Sequence, residues 1–279
     1  MIVSVLINNC PIQIALVNKI SKEINIDMVF MSKNLLTKKK KTFFYFIKRV
    51  VRIPFELPFR FAWDKLKQMY NQKHPNIPSN IEYQIVNNIN SETVLNYIRI
   101  KKPSLLIVSA TTMIRKEIIR EAQKNNSLIL NLHTGVSPYI KGGPNCTNWC
   151  LANNYYLIGN TIMKLDEGID SGAIIATEQT KLTGNESLFE LHHKVMEHGF
   201  DLYIKVITCY VKNKITLNSI PQNSITTKGS LFYTKDWTIL KVIKAYYNYL
   251  FLYKKGIQSF KLDNQIKLFP FLCENEKRR

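Results

Sequence analysis

The chain has 279 residues, 46% of them hydrophobic, and carries 39 Lys and Arg against 20 Asp and Glu for a net charge of +19. Such a length and apolar content exclude a chain too polar to fold. They allow one large α/β domain, or one of about 200 residues with an appendage. The charge draws anionic partners without choosing among nucleic acid, acidic lipid and nucleotide-linked small molecules.

In chain order, Ile2 to Ile7 reads as a first strand, too short and without the basic leader of a signal peptide. Asn8-Asn9-Cys10-Pro11 is a turn, Ile12 to Ile24 has helical spacing, and Ile26 to Met31 is a second strand. Strand, helix and strand with short connections predict a parallel sheet with right-handed crossovers. Residues 32–79 break the rhythm as a basic, aromatic insertion, with Lys38 to Lys41, Phe43 to Phe46, Pro54, Pro58 and Trp63. Its two prolines are expected to interrupt any long helix, and its apolar residues to cover a sheet edge or a second subunit. Basic aromatic helices also lie on membrane surfaces, so a peripheral membrane contact stays open.

The rhythm resumes with a strand at Tyr83 to Val86, a helix from Ser91 to Arg99 and a buried strand at Ser104 to Ala110. A helix at Ile114 to Lys124, a strand at Ser127 to Leu132 and a helix at Asn145 to Asn153 follow. Strands at Gly159 to Leu165 and Ala173 to Leu182 precede a capping box, Ser187-Leu188-Phe189-Glu190, that opens a helix to Lys212. Beyond it come a short strand at Gly229 to Tyr233, a basic amphipathic helix at Trp237 to Lys255 and a charged tail from Cys273. The fold class expected is a Rossmann-like, doubly wound, mainly parallel α/β sheet. Residues 1–214 would form the main domain, with the insertion 32–79, and residues 215–279 a partly helical appendage.

No apolar stretch reaches the eighteen or so residues of a spanning helix, and a cytoplasmic protein is expected. The five cysteines, Cys10, Cys146, Cys150, Cys209 and Cys273, are scattered and odd in number. They read as free thiols of a reducing compartment, and no metal site is expected of them or of His192, His193 and His198.

The chemistry concentrates in residues 131–172. Asn131 and His133 are two positions apart on a strand and so point to one face. Asp166-Glu167-Gly168-Ile169-Asp170-Ser171-Gly172 lies on a later loop that can reach that face. An amide donor, a proton-carrying imidazole and a carboxylate to pair with it are the parts that acyl transfer needs. Between them, Gly135, Ser137-Pro138-Tyr139 and Lys141-Gly142-Gly143-Pro144 let the backbone turn close to a ligand.

The segments Leu130 to Tyr139 and Leu165 to Gly172 resemble the folate-dependent formyltransferases, whose members act on glycinamide ribonucleotide, methionyl-tRNA or sugar nucleotides. The likeness implies catalytic roles for Asn131, His133 and Asp170, and 10-formyltetrahydrofolate as formyl donor. It places Ser109, Thr112, Met113 and Ile114 on one side of the pterin, and Asp166 and Gly168 on the other. For the acceptor it points to Asn8, Asn9, Gly142 and Gly143. Lys141-Gly142 stands where the family commonly has Arg-Gly, and Met163 where some members have a second His.

The first loop has no glycine, which tells against glycinamide ribonucleotide, and the short tail after residue 212 tells against tRNA. A small anionic amino sugar, nucleotide-linked, is the acceptor favoured, with no nucleic acid partner. A homodimer stays open, and so does a non-catalytic scaffold on the same fold.

Overall fold

The computed structural model describes residues 1–33, 43–143, 145–226 and 229–273, with the side chains of residues 43–52 excepted. The basic run at 38–41, the side chains of Phe43 to Phe46, Pro144 and the charged residues after Cys273 lie outside the described residues. In chain order, β1 (Val3–Asn8), α1 (Pro11–Ser21), β2 (Met28–Ser32), α2 (Phe43–Lys73) and β3 (Tyr83–Val86) come first. Then follow α3 (Glu92–Lys101), β4 (Leu105–Ser109), α4 (Lys116–Lys124), β5 (Leu128–His133), β6 (Ile140–Gly142) and α5 (Cys146–Asn153). The remainder is β7 (Gly159–Lys164), β8 (Ile174–Gln179), α6 (Leu188–Lys212), β9 (Ser230–Phe232), α7 (Ile239–Phe251) and α8 (Tyr253–Ser259).

Seven strands form one sheet in the order β3-β2-β1-β4-β5-β7-β8, parallel from β3 to β5, with β7 antiparallel to both its neighbours. This is the doubly wound α/β architecture expected. Val5, Ile7, Ile107, Leu130 and Leu132 face one core with α1 and α6, and Leu6, Leu106, Val108 and Ile129 face the other with α3 and α4. Strands buried on both faces are continuously apolar for this reason. The chain order reverses between β1 and β4, and a crevice opens there at the carboxyl ends of the strands.

Four features differ from the expectation. Helix α2 runs unbroken through Pro54 and Pro58. Proline removes a donor and crowds the preceding turn. Farther along α2, Phe59, Ala62, Leu66 and Tyr70 bury one stripe at helical spacing, and Tyr70 Oη donates to Glu197 Oε1 of α6 at 2.6 Å. The insertion therefore packs on α1, α6 and α7, over one face of the sheet rather than along its edge.

The helix expected over Trp237 to Lys255 is two, broken at Leu252. Tyr156 Oη donates to the Leu252 carbonyl at 3.3 Å, and its ring lies so close to Gly256 that a Cβ there would sit 1.9 Å from Cζ. Third, the Gly/Pro loop contains β6, which pairs in parallel with β9. Isolated pairs Ile174–Ile220 and Thr177–Phe269 further join the C-terminal segment to the sheet. Fourth, Cys209 at the end of α6 and Cys273 form a disulfide, correcting the reading of five free thiols; Cys10, Cys146 and Cys150 are free.

Candidate active site

Asn131 and His133 project from the end of β5 on the α3–α4 side of the sheet, beyond the part those helices cover. The hydroxyl of Tyr203, buried on α6, fastens the strands behind them. It donates to the Leu130 carbonyl at 2.7 Å and accepts from Val108 N at 3.1 Å. On the other side, Thr161 opposes His133 across β5 and β7, donates to the Gly135 carbonyl at 2.7 Å and accepts from Ser137 N at 2.9 Å. The Ser137–Pro138 peptide in this turn is cis.

His133 is 8% exposed, and both ring nitrogens face acceptors: Nδ1 is 3.2 Å from Asp170 Oδ2 and Nε2 is 3.0 Å from the Ile140 carbonyl. Only an imidazolium satisfies both at once. Burial works against the cation, but the Cys146 sulfur 3.6 Å from Nε2, the Asp170 carboxylate and the Ile140 carbonyl outweigh it and push the pKa up. Burial raises the Cys146 thiol above its usual range while the His133 ring beside it pulls it back down, and its Sγ lies 3.1 Å from the Gly142 carbonyl. Gly135 is required beside the ring, since a Cβ would sit 2.4 Å from His133 Nε2.

Asp170 itself is fixed from three directions. Its Oδ2 accepts from Gly142 N at 2.9 Å as well as facing His133. Its backbone adopts a left-handed conformation, φ +46, which Asp tolerates better than most residues. Gln222 Nε2 donates to the carbonyls of Asp170 and Gly172 at 2.7 and 2.9 Å. Asp166 Oδ1 accepts from Gly168 N at 3.0 Å and from the Ser171 hydroxyl, closing the loop on itself.

Asn131, His133 and Asp170 line one cavity of about 790 Å³. Of the residues named from the sequence, Asn131, His133, Asp170, Ser109, Thr112, Met113, Ile114, Asp166, Gly168, Asn8, Gly142 and Gly143 all contribute to its wall. Asn9 does not; it is exposed, with its backbone N donating to the Ser32 carbonyl at 2.9 Å. Among the described residues the Asn131 amide has no hydrogen-bond partner, which leaves it to a ligand.

Sequence reasoning missed Gln13 of α1, Trp63 and Lys67 of α2, and Phe232 to Thr234. Trp63 and Lys67 are one helical turn apart, a signal that becomes usable once α2 is known to be continuous. Gln222 and Tyr203 had no local signal. The three helix histidines serve packing: His192 lies against Trp63, His193 stacks on Phe189, and His198 bonds Thr180 and Glu178.

Residues 64–207, about half of the chain, match the family described as formyl transferase. The chain belongs to that family. The methionyl-tRNA formyltransferase of Alkaliphilus oremlandii is 33% identical over 144 residues, covering 51% of this chain and 44% of that protein. The same-named protein of Finegoldia magna is 35% identical over 125 residues, covering 45% and 39%. The chain thus spans less than half the length of these curated relatives.

Among solved structures, a sugar N-formyltransferase from a Shewanella species superposes with TM-score 0.54 at 13% identity, covering 88% of both chains. A 4-N formyltransferase from Francisella tularensis gives 0.54 at 18%, covering 88% and 87%. A phosphoribosylglycinamide formyltransferase from Anaplasma phagocytophilum gives 0.54 at 13%, covering 84% and 98%. At these identities the likeness is one of fold, shared by proteins named for different acceptors.

Proposed function

We propose that this chain is an N-formyltransferase that moves a formyl group from 10-formyltetrahydrofolate to the primary amine of a small anionic acceptor, a nucleotide-linked amino sugar. The observation that carries the reading is the convergence of Asn131, His133 and Asp170 on one cavity of about 790 Å³. The donor, when bound, supplies a one-carbon acyl group on an amide-like nitrogen. Residues suited to hold it are at hand: Met113 and Ile169, 66% and 40% exposed, leave apolar surface on the cavity wall that a flat ring system would cover.

The chain's own groups divide the work. The free Asn131 amide donates to the formyl oxygen as negative charge develops there. His133, held as a cation by Asp170 and the Ile140 carbonyl, adds a fixed positive charge at the same end of β5. Asp170 takes the proton that the attacking ammonium must lose, and the neighbouring imidazolium lets a proton move on to the departing nitrogen. One N–C bond forms as another breaks, so no net oxidation occurs.

The opposite wall supports an acceptor rich in donors. Gln13 Oε1 and Asn8 Oδ1 are buried there without partners among the described residues, positions that hydroxyl or ammonium groups would satisfy. Lys67 adds a charge fit for phosphate. The net charge of +19 keeps methionyl-tRNA as a second reading.

The test presents 10-formyltetrahydrofolate with nucleotide-linked amino sugars, glycinamide ribonucleotide and methionyl-tRNA, and detects formylated product by mass. Formylation of an amino sugar supports the proposal. Product only from one of the other two overturns the acceptor, and product from none overturns the activity.

A further inference from the structure

Helix α7 is the place where the surface breaks the usual rule. A surface helix buries one apolar stripe and turns polar residues outward. α7 buries Val242, Ala245 and Asn248, with α5 as its main partner, yet its outer face also carries Leu240, Tyr247, Leu250 and Phe251. Leu240 is 73% exposed and Phe251 65% exposed. Leu240, Tyr247 and Phe251 fall at helical spacing on one stripe, and the Tyr247 and Phe251 rings touch at 4.9 Å between centroids.

Between Asp236 and Asp263, the carboxylates that flank it, this segment carries charge of one sign. From Trp237 to Leu262 there are five lysines and no Asp or Glu. Lys241 is turned inward, donating to Asn153 Oδ1 at 2.8 Å. Lys244, Lys254 and Lys255 are exposed. Lys254 and Lys255 border a shallow groove of about 520 Å³ that Leu250 and Phe251 also line. Apolar side chains beside lysines, with no carboxylate between them, match the boundary between acyl chains and anionic headgroups. A nucleic acid backbone would use the lysines and leave the leucines and Phe251 wet.

We propose that the outer face of α7 with the start of α8 docks on an anionic lipid surface, lying in its plane. No helix among the described residues is long and apolar enough to cross a membrane, so the contact is peripheral. The face is separate from the catalytic cavity, so binding to lipid and formyl transfer can fail independently.

The test is co-sedimentation of the full chain with vesicles of mixed phosphatidylglycerol and phosphatidylcholine, and with vesicles of phosphatidylcholine alone. Sedimentation with the mixed vesicles only, weakened by salt, is expected. The combined L240S, Y247S and F251S variant should lose at least ~10-fold in partitioning with its melting temperature unchanged. The separate K254Q and K255Q variants should each lose about five-fold, which keeps the test valid if the triple variant misfolds. Equal binding to both vesicle types, no binding, or full binding by a folded triple variant would overturn the proposal. So would a dimer that only the triple variant dissociates, or duplex RNA binding without vesicle binding.

Discussion

On the wall of the cavity built by β5 and the Asp166–Gly172 loop, the ionisable groups are closed into hydrogen bonds. His133 is held by Asp170 and Ile140, Asp170 by Gly142, and the loop backbone by Gln222. The wall built by β1, α1 and α2 is the reverse: Asn8 and Gln13 hold buried oxygens with no partner among the described residues. The first arrangement is set before any ligand arrives, which is what stabilising a developing charge requires. The second is incomplete until donors fill it, which is how a site selects one acceptor over an analogue lacking those groups. On the proposed function, chemistry and selectivity would lie on different elements and should separate under mutation.

The largest separation is expected on the closed wall. His133→Ala and Asp170→Asn should each lower kcat by more than ~100-fold while the acceptor KM changes little, because positioned acid–base groups contribute ~10²–10⁴. Steady-state kinetics check this, and near-normal turnover would remove these residues from the chemistry. On the open wall, Gln13→Ala or Lys67→Ala should raise the acceptor KM about ten-fold, the worth of one hydrogen bond or charge, and leave binding of a folate analogue intact. If both walls respond in kcat, the division is wrong.

Behind the closed wall, Tyr203→Phe should cost about 1–3 kcal/mol in denaturant unfolding, since it removes a buried hydroxyl that bonds Val108 N and the Leu130 carbonyl. The smallest effect concerns pH. The His133 pKa is raised above 6.5, so its contribution to stability is full below 6.5 and fades as pH rises through the raised value. The melting-temperature advantage of wild type over His133→Asn should therefore shrink on the alkaline side. An advantage that grew with pH would mean the imidazole is neutral.

The closed wall was legible because its residues are consecutive on elements with a clear period: Asn131 and His133 on a strand, Asp170 in a glycine-bounded loop. The parallel sheet was legible from buried apolar runs such as Leu105 to Ser109. The open wall was not, because Trp63 and Lys67 ride on a helix whose prolines argue locally for a break. Tertiary burial of Phe59, Leu66 and Tyr70 overrides that local cost. Gln222 and the Phe232 to Thr234 segment come to the site through β6–β9 pairing and the Ile174–Ile220 bridge, contacts between distant residues that no local pattern encodes. The Cys209–Cys273 pair, 64 residues apart, was hidden for the same reason.

The most direct test of the central claim is calorimetric titration of the chain with a non-reactive 10-formyltetrahydrofolate analogue, beside Met113→Arg, Ile169→Arg and Lys67→Ala. One-to-one binding that is lost in the two arginine variants and kept in Lys67→Ala is predicted. Absence of binding at millimolar analogue, or binding indifferent to Met113 and Ile169, would contradict a formyl-transfer site at the end of β5.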